Sequence, residues 1–143
     1  MLVKHVLDRK PQGVTTVTSE KTLLDAAAVL SARKIGALIV SENGESIDGI
    51  ISERDIVRGI SAYGPGCLSR ELKEFMTANV QCCTPADTIF SVHERMSSGN
   101  FRHMPVAEDD RLVAMLSIRD LMAARTQMVE AENDALTGMI VGY

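Results

Sequence analysis

The apolar and polar positions of this 143-residue chain run through one pattern twice. Val14 to Thr18 alternates and is β-branched, which predicts a short strand. Behind a Thr-x-x-Asp start, Leu23, Ala27 and Leu30 recur at helical spacing, predicting a helix from Thr22 to near Lys34 that Gly36 breaks. Ala37 to Val40 reads as a buried strand and Glu42-Asn43-Gly44-Glu45 as a hairpin turn. Ile47 to Ser52 is then the antiparallel partner, with Ser52 capping a helix over Glu53–Ala62. Gly64-Pro65-Gly66 closes this unit. The order then returns: a lead-in helix over Ser69–Met76, a strand over Val80–Thr84, and a helix over Thr88–Ser98 with Ile89, Val92 and Met96 on one face. A hairpin of Met104–Ala107 and Leu112–Ser117 turns around Glu-Asp-Asp-Arg, and a last helix starts after Ser117. Residues 1–15 are the first lead-in, ending in the turn chemistry of Lys10-Pro11-Gln12-Gly13.

The two passes are a sequence repeat. Thr18 to Asp25 falls on Thr84 to Ser91 at an offset of 66, and Gly49 to Val57 falls on Ala114 to Met122 at an offset of 65. Val3 to Leu7 resembles Leu72 to Met76, with three extra residues in the first copy before Val14 and Val80. Repeated units rarely bury their apolar faces alone, so the copies should pack on each other and leave a cleft along a pseudo-twofold axis. The chain divides into repeat 1 with its lead-in (1–66), repeat 2 (67–126) and a helical extension (127–143). The final helix runs from Arg119 to about Glu132, and Ala135 to Ile140 carries a further apolar stripe. Leu121, Met128, Leu136 and Met139 lie near one side, which reads either as folding back on the domain or, the favoured reading, as a contact with a second copy. The fold class is α/β (α+β): two pseudo-symmetric β-α-β-β-α repeats packed through their sheets.

Composition narrows the partners. Apolar residues make up 45% but aromatics only 3%, so the core is aliphatic and Met-rich. The net charge of −4 and the lack of any basic run argue against nucleic acid, which needs clustered Lys and Arg. The longest apolar runs, Gly36 to Val40 and Leu112 to Leu116, are far too short to span a membrane. Charges interrupt the N-terminus, so no signal peptide is expected. Three cysteines make no disulfide framework, and the expected compartment is the cytoplasm. Zinc-ligand spacing, a Gly-x-Ser-x-Gly elbow and a Walker loop are all missing, so neither a metal nor an enzyme is expected.

Two constellations carry candidate chemistry. Ser52-Glu53-Arg54-Asp55 and Ser117-Ile118-Arg119-Asp120 each sit where a strand hands over to a helix. A helix N-terminus offers free N–H groups to a phosphate, an adjacent Arg adds a planar donor set, and Asp can accept from ribose hydroxyls. The same Ser-x-x-Asp spacing is also an ordinary helix cap, and the motif alone does not separate the two. Arg102-His103-Met104 stands where the first copy has Gly36-Ala37-Leu38, so the two sites would be unequal. His103 can stack on a base, approach a phosphate, or simply bond to backbone. Of Cys82 and Cys83, alternation places one in the core and one toward the cleft.

With this duplicated unit and hydrophobic-hydrophobic-Ser-x-x-Asp motifs, residues 1 to about 125 resemble the cystathionine β-synthase (CBS) domain family. Specifically, the chain is similar to a stand-alone tandem pair, or Bateman module. The resemblance implies an adenosine ligand (AMP, ADP, ATP, S-adenosylmethionine or NAD) in the inter-repeat cleft, with occupancy regulating something else. It implies a first site of Ser52, Arg54 and Asp55 with Gly36-Ala37-Leu38, Arg102-His103 and Cys82-Cys83-Thr84. The implied second site joins Ser117, Arg119 and Asp120 to Arg102-His103-Met104, Thr16-Val17-Thr18 and Ile35-Gly36-Ala37. In each, Asp would hold ribose, Ser and Arg phosphate, and backbone adenine. AMP is expected first, NAD(H) second and ATP third. The resemblance also implies a homodimer through the helices near 54–62 and 119–132, and an unidentified protein partner. The competing reading is an interaction module that needs no nucleotide.

Overall fold

A computed structural model describes residues 1–140 of the chain; the last three residues of the expected extension lie outside the described part. Its elements are α1 (Val3–Leu7), β1 (Thr16–Val17), α2 (Leu23–Arg33), β2 (Ala37–Val40), β3 (Gly49–Ser52) and α3 (Glu53–Tyr63). Two 3-10 turns, Pro65–Ser69 and Leu72–Glu74, lead into α4 (Ile89–Gly99), β4 (His103–Glu108), β5 (Arg111–Ser117) and α5 (Ile118–Ile140). The mixed α/β class is the one read from the pattern, and the element order repeats except at the second lead-in and the first strand of repeat 2.

Local chemistry fixes the helix ends in both copies. The Thr22 hydroxyl accepts from the Asp25 N–H, and the Thr88 hydroxyl accepts from the Ser91 N–H. At the other end Lys34 and Asn100, both at φ 55, terminate α2 and α4 in the left-handed region. β2 pairs in parallel with β1 and antiparallel with β3, while β4 and β5 form a separate hairpin. Its turn is Asp109-Asp110, both at positive φ as a tight hairpin turn requires. The Asn43-Gly44 loop is broader, because the Asn43 side chain accepts from the N–H groups of Glu45 and Ser46, and β3 starts only at Gly49.

Val80–Thr84 does not form the expected strand. Cys83 makes a single parallel bridge to Val106, the counterpart of the Val17–Val40 pair. The next pair in repeat 1, Thr16 with Ile39, uses the Ile39 N–H; its counterpart Pro105 has none, so the ladder stops after one rung. The second lead-in is likewise the pair of 3-10 turns in place of a helix over Ser69–Met76.

There are two cores, and the lead-ins are exchanged between them. Val3 and Val6 of α1 pack with Ile89, Val92, Met96, Met104, Val106 and Leu116 of repeat 2. Cys67 and Leu72, from the turns that precede repeat 2, pack with Leu23, Leu30, Leu38, Val40 and Ile51 of repeat 1. Matching bonds hold both: Val3 N–H donates to Asp87 C=O at 2.8 Å, and Leu72 N–H to Lys21 C=O at 2.7 Å. Leu2 bridges Thr88 just as Glu71 bridges Thr22. The chain therefore crosses between the halves along residues 8–15, from α1 on repeat 2 to β1 in repeat 1. α5 is one continuous helix. Of the apolar stripe expected to meet a second copy, Leu121 is buried in the core of repeat 2 and Met128 packs against it, because the first turns of the helix cover their own domain, while Leu136 and Met139 are exposed.

Candidate functional site

The cleft sits where β2, α3, β4, β5 and the crossing segment meet, and encloses about 1310 Å³. Alternation along β2 and β4 decides which side chains reach it. Leu38 and Met104, at equivalent positions, are fully buried in the two cores. Their neighbours Ala37 and His103 line the cleft, paired across their hairpins with Ser52 and Ser117. The backbone repeats itself: Glu53 N–H donates to Gly36 C=O at 3.0 Å, and Ile118 N–H to Arg102 C=O at 2.8 Å.

Of the residues singled out from the sequence, the cleft gathers Ile35, Gly36, Ala37, Arg102, His103, Ser117, Arg119 and Asp120. Thr16, Val17 and Thr18 lie just beyond it, the wall being formed instead by Gly13, Val14 and Thr15. Ser52, Arg54 and Asp55 are not on this wall either. Arg54 turns to the far helix, its Nη1 donating to Asn100 C=O at 3.3 Å.

Neither cysteine of the Cys82-Cys83-Thr84 segment lines this cleft. Cys83 is buried, and its main chain is tied to Pro105 C=O and Ala107 N–H; Cys82 is half-buried, with its C=O taken by Arg95. Burial pushes the Cys83 thiol up to about 12, helped by Asp87, and raises Cys82 as well, so both favour the unreactive thiol. Thr84 N–H donates to the Asp87 carboxylate.

Both Ser-x-x-Asp turns are built as caps. Asp120 Oδ2 accepts the Ser117 N–H at 2.8 Å and its hydroxyl at 3.0 Å, while the Ser117 oxygen accepts from Asp120 N–H at 3.2 Å. Ser52 and Asp55 repeat this at 2.8, 3.0 and 3.4 Å. In repeat 2 the same Asp120 oxygen also accepts Lys10 Nζ at 2.7 Å. Burial pushes the Asp120 carboxyl up, but Lys10 and the Ser117 donors outweigh it and hold it below the ordinary aspartate value.

Sequence reasoning passes over three contributors. Lys10 reads as a turn residue only, yet it reaches Asp120 across 110 positions and also donates to Met115 C=O at 2.6 Å. Glu53 reaches the same wall from repeat 1: a Cβ on Gly36 would lie 2.8 Å from its Oε1 and 3.1 Å from His103 Cε1. That close approach explains why glycine stands there. Lys34 lines the cleft from the C-terminus of α2. Lys10, Lys34, Arg102 and Arg119 face Asp8, Glu53 and Asp120, four cations against three carboxylates in a chain of net charge −4. Burial lowers the His103 imidazole below its ordinary value, with Lys10 and Arg102 adding to this and Glu53 and Asp120 opposing it.

A cleft between two repeats that share an α-β-β-α order, each with its Ser-x-x-Asp turn, is the arrangement of a tandem domain pair. The CBS domain family matches residues 3–62 and 72–126, and the chain belongs to that family. A mitochondrial CBS domain-containing protein of Arabidopsis thaliana is 30% identical over 129 residues, which are 87% of this chain and 63% of that protein. The chain thus spans less than two thirds of that relative, and 19% of a second from the same plant. The crystal structure of a CBS-domain-containing protein from Agrobacterium tumefaciens is 38% identical, with a TM-score of 0.85 over 87% of this chain and 99% of its own. Two more distant structures share the fold. One is the MJ0100 CBS pair with 5′-methylthioadenosine and S-adenosylmethionine, 23% identical, with a TM-score of 0.79 over 90% and 98% of the two chains. The other is a Pyrobaculum aerophilum CBS protein with AMP, 24% identical, with a TM-score of 0.76 over 93% and 99%. Among the described residues no helix is long and apolar enough to cross a membrane.

Proposed function

We propose that this CBS pair is a regulatory, non-catalytic module that binds an adenosine-containing ligand in the cleft beside Asp120 and passes its occupancy on by conformational or partner change. What supports the reading is the cleft itself, where the Ser117–Asp120 turn of repeat 2 faces Gly36 and Ala37 of repeat 1 amid a surplus of cations. In this reading Asp120 accepts the ribose hydroxyls. Oδ2 is committed to Ser117 and Lys10, and a carboxylate has acceptor capacity left on its second oxygen. Arg119 and Arg102 meet phosphate, and main chain at Ile35-Gly36-Ala37 reads the base. AMP is the first candidate, then NAD(H), then ATP; distant neighbours carry AMP, and 5′-methylthioadenosine with S-adenosylmethionine. The site around Ser52, Arg54 and Asp55 is secondary.

The proposal includes a homodimer. Among the exposed apolar residues on the helices are two repeat-related pairs, Leu24 with Phe90 and Val57 with Met122, and Val129 continues the last position along α5. The proposed compartment is the cytoplasm, where the three free thiols stay reduced.

Saturating AMP should raise the melting temperature, because a ligand that binds only the folded state stabilises it. Asp120→Ala should lose about 10- to 100-fold in AMP affinity by calorimetry, the loss expected for hydrogen bonds to a charged group. Asp55→Ala should lose far less. Unchanged affinity in Asp120→Ala would refute the ribose assignment, and no melting shift with any adenosine compound would leave the nucleotide-independent interaction module standing.

A further inference from the structure

Three ion pairs among the described residues, Arg70–Glu74, Lys73–Glu71 and Arg95–Asp87, join side chains no more than eight positions apart. The fourth, Lys10–Asp120, closes the cleft between the crossing segment and the N-terminus of α5, with both side chains largely shielded at 30% and 22% exposure. It occurs because the first lead-in carries three residues more than the second. After the second lead-in, Thr77 and Ile50 exchange both main-chain hydrogen bonds at 2.9 Å, which seals the edge of β3. The equivalent edge of β5, at Met115, faces no such backbone partner; the ammonium of Lys10 takes its carbonyl instead.

We infer that Lys10 reads the charge of the ligand's 5′ substituent, so that the cleft favours adenosine compounds bearing a 5′-phosphate over the uncharged nucleoside. The inference rests on the ribose assignment proposed for Asp120. An ammonium has three donors, and two are placed, on Asp120 Oδ2 and Met115 C=O. The third is available to an anion lying one sugar ring away from the carboxylate that holds the diol. Lysine suits this role because it is a compact charge on a flexible four-carbon stem, able to swing toward a phosphate without moving the main chain. Its pairing with Asp120 also keeps that carboxylate ionised when no anion is close. A neutral nucleoside gains nothing from the third donor, so the discrimination comes from charge and leaves the sugar contacts alone.

The test is calorimetric titration of the full chain with AMP and with adenosine, in wild type and in Lys10→Met and Lys10→Arg. Lys10→Met should weaken AMP by about 10- to 100-fold more than it weakens adenosine, the scale of one charge-assisted hydrogen bond to the phosphate. Lys10→Arg, which keeps the charge, should restore most of the preference for AMP. Should Lys10→Met fail to fold, Lys10→Gln replaces it, since its amide can still donate to the Met115 carbonyl. Equal losses for AMP and adenosine would make Lys10 a mere staple of the crossing segment and overturn the inference, as would undiminished AMP binding. Wild type binding neither compound would instead refute the nucleotide reading, and this inference with it.

Discussion

The edges of β3 and β5 are the same place in the two repeats, and the chain treats them differently. At β3 the segment after the second lead-in lies against the strand as a bridge, Met76 packs over Gly49, and the position admits no side chain. At β5 the corresponding segment is three residues longer and bows away; Ala114 stands in place of Gly49 and lines the cleft. One polar group then crosses the gap where a main-chain pair would otherwise close it. Two repeat-related halves thus differ in openness because of loop length, while their caps stay alike. A pseudo-symmetric fold can specialise one of its two grooves by insertion alone.

The largest effect that would sharpen this contrast is at Gly49. A Cβ there would lie 2.6 Å from Met76 Sδ and 3.0 Å from Thr77 C=O, so Gly49→Ala should cost about 1–3 kcal/mol in chemical denaturation, the usual range for overpacking. The mirror change Ala114→Gly meets no such wall and should cost only about 0.5–1 kcal/mol through backbone entropy. Equal costs at the two positions would break the comparison.

A smaller effect concerns His103, which repeat 1 replaces with Ala37. Its imidazole is held below its ordinary value, so the fold prefers it neutral. The stability it contributes is fully present above the unfolded value of about 6.5 and fades as pH falls through that value toward the lower folded one. Melting temperature should therefore drop more steeply between about pH 7.5 and about pH 5.5 in wild type than in His103→Gln. Parallel slopes would show that the imidazole titrates as it does in the unfolded chain.

Much of the fold is legible in the sequence because each copy checks the other. The helix starts at Thr22, Ser52, Thr88 and Ser117 follow from side chains that satisfy their own backbones, a local signal. The strand expected at Val80–Thr84 fails because its pairing depends on a proline more than twenty positions later. The exchange of lead-ins is hidden for a related reason: Val3 and Val6 show an apolar face without showing whose core it fills. In the cleft, the repeated motif points to Ser117 and Asp120. Lys10 and Glu53 reach the site through tertiary geometry, and nothing in their neighbouring residues distinguishes them from solvated charges. The two Ser-x-x-Asp turns are themselves alike; a remote loop three residues longer and the unequal strand entries Gly36-Ala37 and Arg102-His103 set them apart.

The exchanged lead-ins have a mechanical consequence. The interior of repeat 2 is plugged by the chain's first helix, which precedes the other half, so repeat 2 cannot be cut out as one contiguous fragment, whereas the interior of repeat 1 lies within residues 17–76. The molecule is clasped from one side: the first helix holds the far half shut, and the crossing stretch ties that half to the near one.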